Sequence, residues 1–133
     1  MKMCNDTITV FNRRLDPDTG YEIYTPTVIR GVSWYSHVDS AVTSDGLKAA
    51  NKITIRIPID ADFSGKSYVK PVDYTAGERE FTLRSGDYII NGEETQPLKP
   101  AQAREKYGEI ATILGVTDNR RAPRAKHWKV VGG

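Results

Sequence analysis

The sequence is poor in the residues that build metal and redox sites. It has one cysteine, Cys4, and two histidines, His37 and His127, among 133 residues. A single cysteine cannot form an internal disulfide, and this usage is typical of proteins that stay in a reducing compartment. Zinc sites built from several cysteines and histidines are excluded. The GxSxG, HExxH, GxxxxGK[ST] and GxGxxG motifs are also missing. We therefore predict no catalytic residues, no metal and no cofactor, and we do not expect an enzyme.

Long apolar stretches are missing as well. The longest unbroken apolar run is Tyr88–Ile90, whereas a membrane helix needs about 20 apolar residues and a signal peptide about 7 to 15. We therefore expect no membrane partner and a location in the cytoplasm.

Length and charge distribution define what is present. A chain of 133 residues predicts one domain over residues 1–133, because single domains cluster at about 100 to 150 residues. The net charge of +2 combines two unlike parts. Residues 1–117 carry 14 basic and 16 acidic residues, whereas residues 118–133 carry five basic residues and one acid. This basic C-terminal segment is a candidate for contacting nucleic acid phosphates or an acidic protein.

Most of the chain has the pattern of β-strands. Residues 52–59 read KITIRIPI, and this strict alternation predicts a half-buried antiparallel strand with four isoleucines on one face. Residues 7–14 and 24–35 are also β-rich, and the turn-forming LDPDTG between them predicts a hairpin. Gly31 interrupts the second strand, which indicates a bulge or a sharp bend at a barrel corner.

The remaining segments complete the predicted fold. Residues 100–114 begin with Pro100 and repeat apolar residues at helical spacing, so they predict a helix that packs on the sheet. Residues 125–131 predict a final strand. The fold class is therefore mainly β, as a small antiparallel β-barrel or sandwich with one helix in the C-terminal half. Residues 36–51 lack a strong period and predict a long polar loop. Glu93 and Glu94 follow a predicted turn, and we expect them to be solvated.

Five segments together resemble a known class of proteins. These are DTITVFNRR, IRGVSWY, GLKAANKITIRIPI, SGDYIINGE and ILGVTDNRRAPRAKHWKVVGG. They resemble the minor structural proteins of tailed bacteriophages and prophages that complete, close or join the head-to-tail junction. The resemblance implies a small β-barrel that assembles as a ring on the portal axis. It also implies portal, adaptor or tail proteins as partners, DNA passing through the conduit, and a place in the virion at the head–tail interface after assembly in the host cytoplasm.

The resemblance implies contact surfaces rather than a pocket. We expect the segment 36–51 to be a docking segment, and its candidate partner-binding residues are Ser40, Thr43, Asp45, Gly46 and Lys48. In the basic segment the candidates are Arg120, Arg121 and Arg124, which would meet either carboxylates of a neighbouring subunit or DNA. The alternative function is a small β-barrel nucleic-acid-binding module that uses this basic segment.

Overall fold

The chain forms a closed barrel of six antiparallel strands, in the order β1-β2-β3-β8-β7-β6. The computed structural model describes residues 5–43, 46–75, 77 and 79–133, and within 37–51 it describes the backbone alone. The elements are β1 (Asp6–Leu15), β2 (Glu22–Thr43), β3 (Gly46–Pro58), β4 (Ser67–Tyr68), β5 (Glu80–Phe81), β6 (Tyr88–Asn91), α1 (Pro100–Tyr107), β7 (Ile110–Asp118) and β8 (His127–Gly132). The mainly β fold class is confirmed, with the barrel as its form.

The predicted first hairpin is confirmed. β1 and β2 pair from Leu15 opposite Glu22 to Asp6 opposite Val32. The turn between them is closed by the Gly20 amide, which donates to the Asp16 carbonyl at 2.8 Å. The LDPDTG segment therefore joins two adjacent strands with a short turn, as its composition predicts.

Gly31 marks the position where β2 changes partner. Asp6 lies opposite Val32 and Thr7 lies opposite Arg30, so Gly31 is an extra residue in β2, a β-bulge. Its φ of 87° lies in the left-handed region that favours glycine. Before the bulge β2 pairs with β1, and from Ser33 onward it pairs with β3. The predicted bend at Gly31 is confirmed, and it lets one strand form two sides of the barrel.

The barrel interior is filled by alternate residues of the strands. In β3 the buried residues are Ile53, Ile55 and Ile57, which confirms the inward face predicted from alternation. Ile59 follows the strand and is 44% exposed, so the inward face ends before it. From the other strands the interior receives Ile8, Val10, Ile29, Val32, Ile89, Ala111, Ile113, Trp128 and Val130.

The connection between β3 and β6 covers the edge of β2 that faces away from β1. Asp62 and Arg30 exchange two backbone hydrogen bonds at 2.9 Å. The Ser64 hydroxyl donates to the Val28 carbonyl at 2.7 Å, and the Lys66 ammonium donates to the Pro26 carbonyl at 2.9 Å. Side-chain and backbone donors thus satisfy alternate residues of an edge that would otherwise be open.

A buried polar network fixes the same connection to β1. The Asn12 amide donates to the Thr82 carbonyl at 2.7 Å and to the Asp87 carboxylate at 2.8 Å, and its oxygen accepts from the Thr82 amide at 3.2 Å. All three residues are buried. Satisfied polar groups of this kind define a unique arrangement, because each would be costly to leave without a partner.

The predicted helix over 100–114 is too long. Helix α1 ends at Tyr107, Gly108 caps it with a φ of 81°, and residues 110–118 form β7. Ile110 keeps its predicted burial, but it does so on a strand, and Leu114 is 66% exposed beside a register shift in β7. A spacing of four residues places both residues on one face of a helix or of a strand, so the pattern alone does not separate the two.

Helix α1 packs on the outside of the barrel. It covers β1, β6 and β7 through a second apolar cluster in which Phe11 and Tyr88 stack at 4.5 Å between ring centroids. The Tyr88 hydroxyl donates to the Leu98 carbonyl, just before the helix. The helix therefore lies on the side of the barrel opposite to β3 and β8.

The predicted polar loop at 36–51 is wrong for the part of the backbone that the structure describes. Residues 36–43 continue β2 and residues 46–51 begin β3, and the two strands stay paired from Ser36 opposite Ile53 to Thr43 opposite Gly46. The segment lacks a strong period because it extends past the barrel core, so burial does not select an apolar face there. The predicted final strand over 125–131 is confirmed as β8, which begins two residues later.

We expect Gly31→Ala to lower the free energy of unfolding by about 1–2 kcal/mol, because alanine at a φ of 87° strains the backbone. The control is Gly115→Ala, since Gly115 has open space for a Cβ and an ordinary φ, and its effect should stay within about 0.5 kcal/mol. Urea denaturation measures both. Equal losses in the two variants would show that the bulge needs no glycine.

Candidate functional site

The first candidate surface is the outer part of the β2–β3 hairpin, residues 37–43 and 46–52, which we name the ribbon. β2 pairs with β1 only up to Val32, and β3 pairs with β8 only from Ile53 onward. Within the described part of the chain the ribbon therefore has two strands and no third. At a rise of about 3.3 Å per residue, its seven pairs project about 23 Å from the end of the barrel.

The structure brings four of the five predicted docking residues to the outer half of the ribbon. Thr43 and Gly46 form its last described pair, Lys48 lies opposite Ala41, and Ser40 lies opposite Ala49. Asp45 lies outside the described residues. These residues were predicted as a loop, but on the ribbon their backbone groups are already in extended conformation.

The pairing also assigns the ribbon residues to two faces, because directly opposite residues of antiparallel strands share a face. One face continues the barrel's inner face from Ile53 and contains Val38, Val42 and Leu47. The other contains Asp39, Lys48 and Lys52. The first of these faces also contains Ser40 and Asn51, so the ribbon has no uniformly apolar face.

The second candidate surface is the basic segment after β7, where Arg120 has a structural role. Its guanidinium lies 5.2 Å from the ring centre of Tyr68 and 5.1 Å from that of Trp128. It also donates to both carboxylate oxygens of Asp118 at 2.6–2.9 Å. These hydrogen bonds hold the pKa of Asp118 below its ordinary value. Arg120 is therefore engaged within its own chain.

Arg121 and Arg124 lie on different depressions. Arg121 is exposed and lines an open depression of about 500 Å³ with Lys70, Asp118 and Arg120. Arg124 lines another of about 310 Å³ with Lys126 and Asp60, beside the end of β3. The three predicted arginines thus do not form one cluster. Of these three arginines, only Arg121 and Arg124 have no ion pair with another described residue.

Sequence reasoning missed the role of Glu94. This side chain is 7% exposed, not solvated as expected, and its carboxylate accepts from the Lys106 ammonium and the Tyr107 hydroxyl, both at 2.7 Å. Its backbone amide donates to the Thr9 hydroxyl at 3.0 Å. The hydrogen bonds from Lys106, Tyr107 and the Gln96 amide lower the pKa of Glu94 to about 2. Glu94 therefore links α1, through its carboxylate, to β1, through its backbone amide.

Sequence reasoning counted Lys129 within the basic C-terminal segment but gave no weight to Arg56. They lie directly opposite each other on β3 and β8 and on the outer face of the barrel. The alternation of β3 does predict an outward Arg56, but the pairing of β3 with β8 is a non-local property that the sequence pattern does not specify.

No group of three or more histidine, cysteine, aspartate or glutamate residues in the described part of the chain lies close enough to hold a metal ion. No described helix is long and apolar enough to cross a membrane.

The fold and its surfaces define a small antiparallel β-barrel protein with a projecting two-stranded ribbon. Residues 3–133 match a family that is described as a family of unknown function, DUF6751, and the chain belongs to this family. No curated protein is significantly similar to it, and no solved structure is either.

We expect Glu94→Gln to lower stability near neutral pH by about 1 kcal/mol, because a buried amide accepts more weakly than a carboxylate from the Lys106 ammonium and the Tyr107 hydroxyl. Since the folded pKa of Glu94 lies below 4.5, its stabilisation is complete above pH 4.5 and is lost as pH falls toward about 2. The variant should therefore lose less stability than the parent over that range in thermal melts. Glu93→Gln is the control, because Glu93 is half-exposed and pairs only with Arg30. If Glu94→Gln lost as much stability as the parent between pH 4.5 and about 2, the stabilising role assigned to Glu94 would be wrong.

We expect Arg120→Lys to destabilise the barrel by about 1 kcal/mol, because lysine lacks the planar group that lies over Tyr68 and Trp128. Arg121→Lys, with an exposed side chain, should change stability by less than about 0.5 kcal/mol. Urea denaturation followed by tryptophan fluorescence compares the two. Equal midpoints would mean that Arg120 contributes no more than a surface charge.

Proposed function

We propose that this protein is a structural component of the head-to-tail junction of a tailed bacteriophage or prophage. In this proposal, copies of the barrel assemble as a ring in the virion and join portal or adaptor proteins to the tail. The resemblance of five sequence segments to such proteins supports the class. The single observation that carries the contact role is the ribbon, which extends β2 and β3 well beyond the strands that close the barrel.

The ribbon supports this role because of its edges. Each strand of a two-stranded ribbon directs alternate backbone N–H and C=O groups outward, where they can pair with another chain. An isolated hairpin is marginally stable in water, so pairing with a third strand stabilises it. Strand addition from one copy to the next is a heterologous contact, and such contacts close into a ring when the rotation between copies allows it.

The rest of the molecule is consistent with a contact role. The other open edge of β2, at Pro26–Arg30, is covered by the chain's own residues 62–66. The ribbon edges have no such cover among the described residues. The backbone groups along the ribbon edges are therefore available to pair with a strand of a partner.

The test is a symmetric truncation of the ribbon. Residues 40–49 are replaced by Asn-Gly between Asp39 and Ala50, which already lie opposite each other, because Asn-Gly forms the two-residue turn of a hairpin. We expect the barrel to keep its melting temperature, since its core residues all lie elsewhere. The truncated chain should fail to form rings by native mass spectrometry and should yield unjoined heads and tails by electron microscopy of particles from a complemented lysogen.

The matched control shortens the hairpin at the opposite end of the barrel. Residues 16–21 are replaced by the same Asn-Gly turn between Leu15 and Glu22, and joining should persist. The proposal is overturned if the ribbon truncation still joins heads to tails, or if the full chain does not occur in purified virions.

A further inference from the structure

The outer face of β3 and β8 carries charge of one sign. Neither β3 nor residues 119–133 contain an aspartate or a glutamate. Because Ile53, Ile55, Ile57, Trp128 and Val130 point inward, the outward positions are Lys52, Thr54, Arg56 and Pro58 on β3 and His127, Lys129 and Val131 on β8. Three of these outward residues are lysine or arginine, and no carboxylate lies between them.

Arg56 and Lys129 form a cross-strand pair of like charge. They are direct partners in the β3–β8 ladder, and like charges in that position repel each other. Both side chains are half-buried, and neither forms a hydrogen bond or an ion pair with another residue that the structure describes. Elsewhere on the barrel, strand cations do have acidic partners, as in Arg13–Glu22 and Arg30–Glu93.

The groups around this pair do not neutralise it. Ser33 of β2 and Thr117 of β7 complete the same row across the sheet, and both are uncharged. Asp118 is held by Arg120. Asp60, the carboxylate next along the chain, lies past the end of β3 in the depression lined by Arg124 and Lys126. Among the side chains that the structure describes, no carboxylate therefore compensates these two adjacent cations.

We propose that the β3–β8 face binds the phosphate backbone of a nucleic acid without sequence specificity. Arg56 and Lys129 would contact adjacent phosphates, and Lys52 would extend the contact along β3. A bound anion removes the repulsion between Arg56 and Lys129, so binding is favoured by the same charge arrangement that disfavours the free state. The inference rests on the charge of this face and does not depend on the proposed function.

A nucleic acid fits this face better than a second copy of the chain does. The cations are spread over the sheet rather than gathered in a pocket, and a polyanion with a charge at every phosphate meets such an arrangement in many registers. The chain's own Glu22, Glu93, Glu94 and Asp118 are already in ion pairs with its own cations. A second copy would have to break such pairs to supply these four carboxylates.

The test measures binding of the full chain to a short fluorescein-labelled DNA duplex by anisotropy, over about 50 to 200 mM salt. We expect affinity to fall steeply with salt. Arg56→Gln/Lys129→Gln should bind roughly tenfold more weakly at the low-salt end and should reduce the slope of log K against log salt by about 2, because two phosphate contacts are lost. Its melting temperature should equal or exceed that of the parent, since the repulsion is removed.

The matched control removes two cations from the opposite side of the barrel. Lys99→Gln/Arg104→Gln makes the same change in net charge next to or on α1, and both residues are exposed. This variant should keep the parental slope and lose less than about twofold in affinity. A single-stranded oligonucleotide of the same length should also bind, because it presents the same phosphates, with a smaller salt slope.

Three results would overturn the inference. One is an Arg56→Gln/Lys129→Gln variant that binds duplex with the parental affinity and slope. Another is an equal loss in the Lys99→Gln/Arg104→Gln control, which would reduce the effect to net charge. The third is poly-glutamate that displaces the duplex at equal charge concentration, because the face would then be a site for an acidic protein. Ring formation and joining by the Arg56→Gln/Lys129→Gln variant report separately on the proposed function.

Discussion

The whole architecture depends on the bulge at Gly31 in β2. A single strand of 22 residues pairs with β1 before the bulge and with β3 after it. That change of partner places β3 on the opposite edge of β2 from β1, so each half of β2 has a different neighbour. The bend directs the second half of β2 toward β3 and β8, so the barrel closes and the last part of the same strand is carried past its end.

The first half of β2 has a covered edge, whereas its second half, in the ribbon, has an edge that no described residue covers. At Pro26, Val28 and Arg30, residues 62–66 supply hydrogen bonds one after another, and the Asn12–Thr82–Asp87 network anchors the rest of that connection. Lys66, one of these donors, is half-buried, and this desolvation lowers the pKa of its ammonium. The ribbon edges have no such cover among the described residues, which supports the proposed contact with a partner.

The features predicted correctly from the sequence are those that depend on residues close to one another in the chain. The isoleucines of β3 alternate because one face is buried, Gly31 is the residue that a bulge favours, and the LDPDTG turn needs no distant contact. The helix was predicted too long because Ile110 and Leu114 are four residues apart, a spacing that a strand also allows. Residues 36–51 were predicted as a loop because no barrel core lies beneath the ribbon, so burial does not impose an alternating apolar pattern on its sequence.

The candidate surfaces depend on pairings that a sequence pattern does not contain. Arg120, Arg121 and Arg124 are close in sequence, yet Arg120 is held by Asp118, Tyr68 and Trp128, and Arg124 faces a different depression. Arg56 and Lys129 are far apart in sequence and become neighbours only when β8 pairs with β3. Glu94 was predicted as solvated because only the folded chain brings Lys106 and Tyr107 to it.

Strand β3 contributes to both the ribbon and the basic face, and the two proposed contacts use different groups of that strand. Along β3, Lys52 and Arg56 lie on the face that also contains Lys129. The basic face therefore ends at the base of the ribbon, since Asp39 lies on the same face further out. Strand addition uses the edges of a sheet, in its plane, whereas contacts to phosphates use side chains that stand perpendicular to it. A ring of copies joined through ribbon edges would thus keep its lysines and arginines available on one side. Assembly would then multiply a weak contact per copy into a stronger one for the ring, because linked contacts to one polyanion act at high effective concentration.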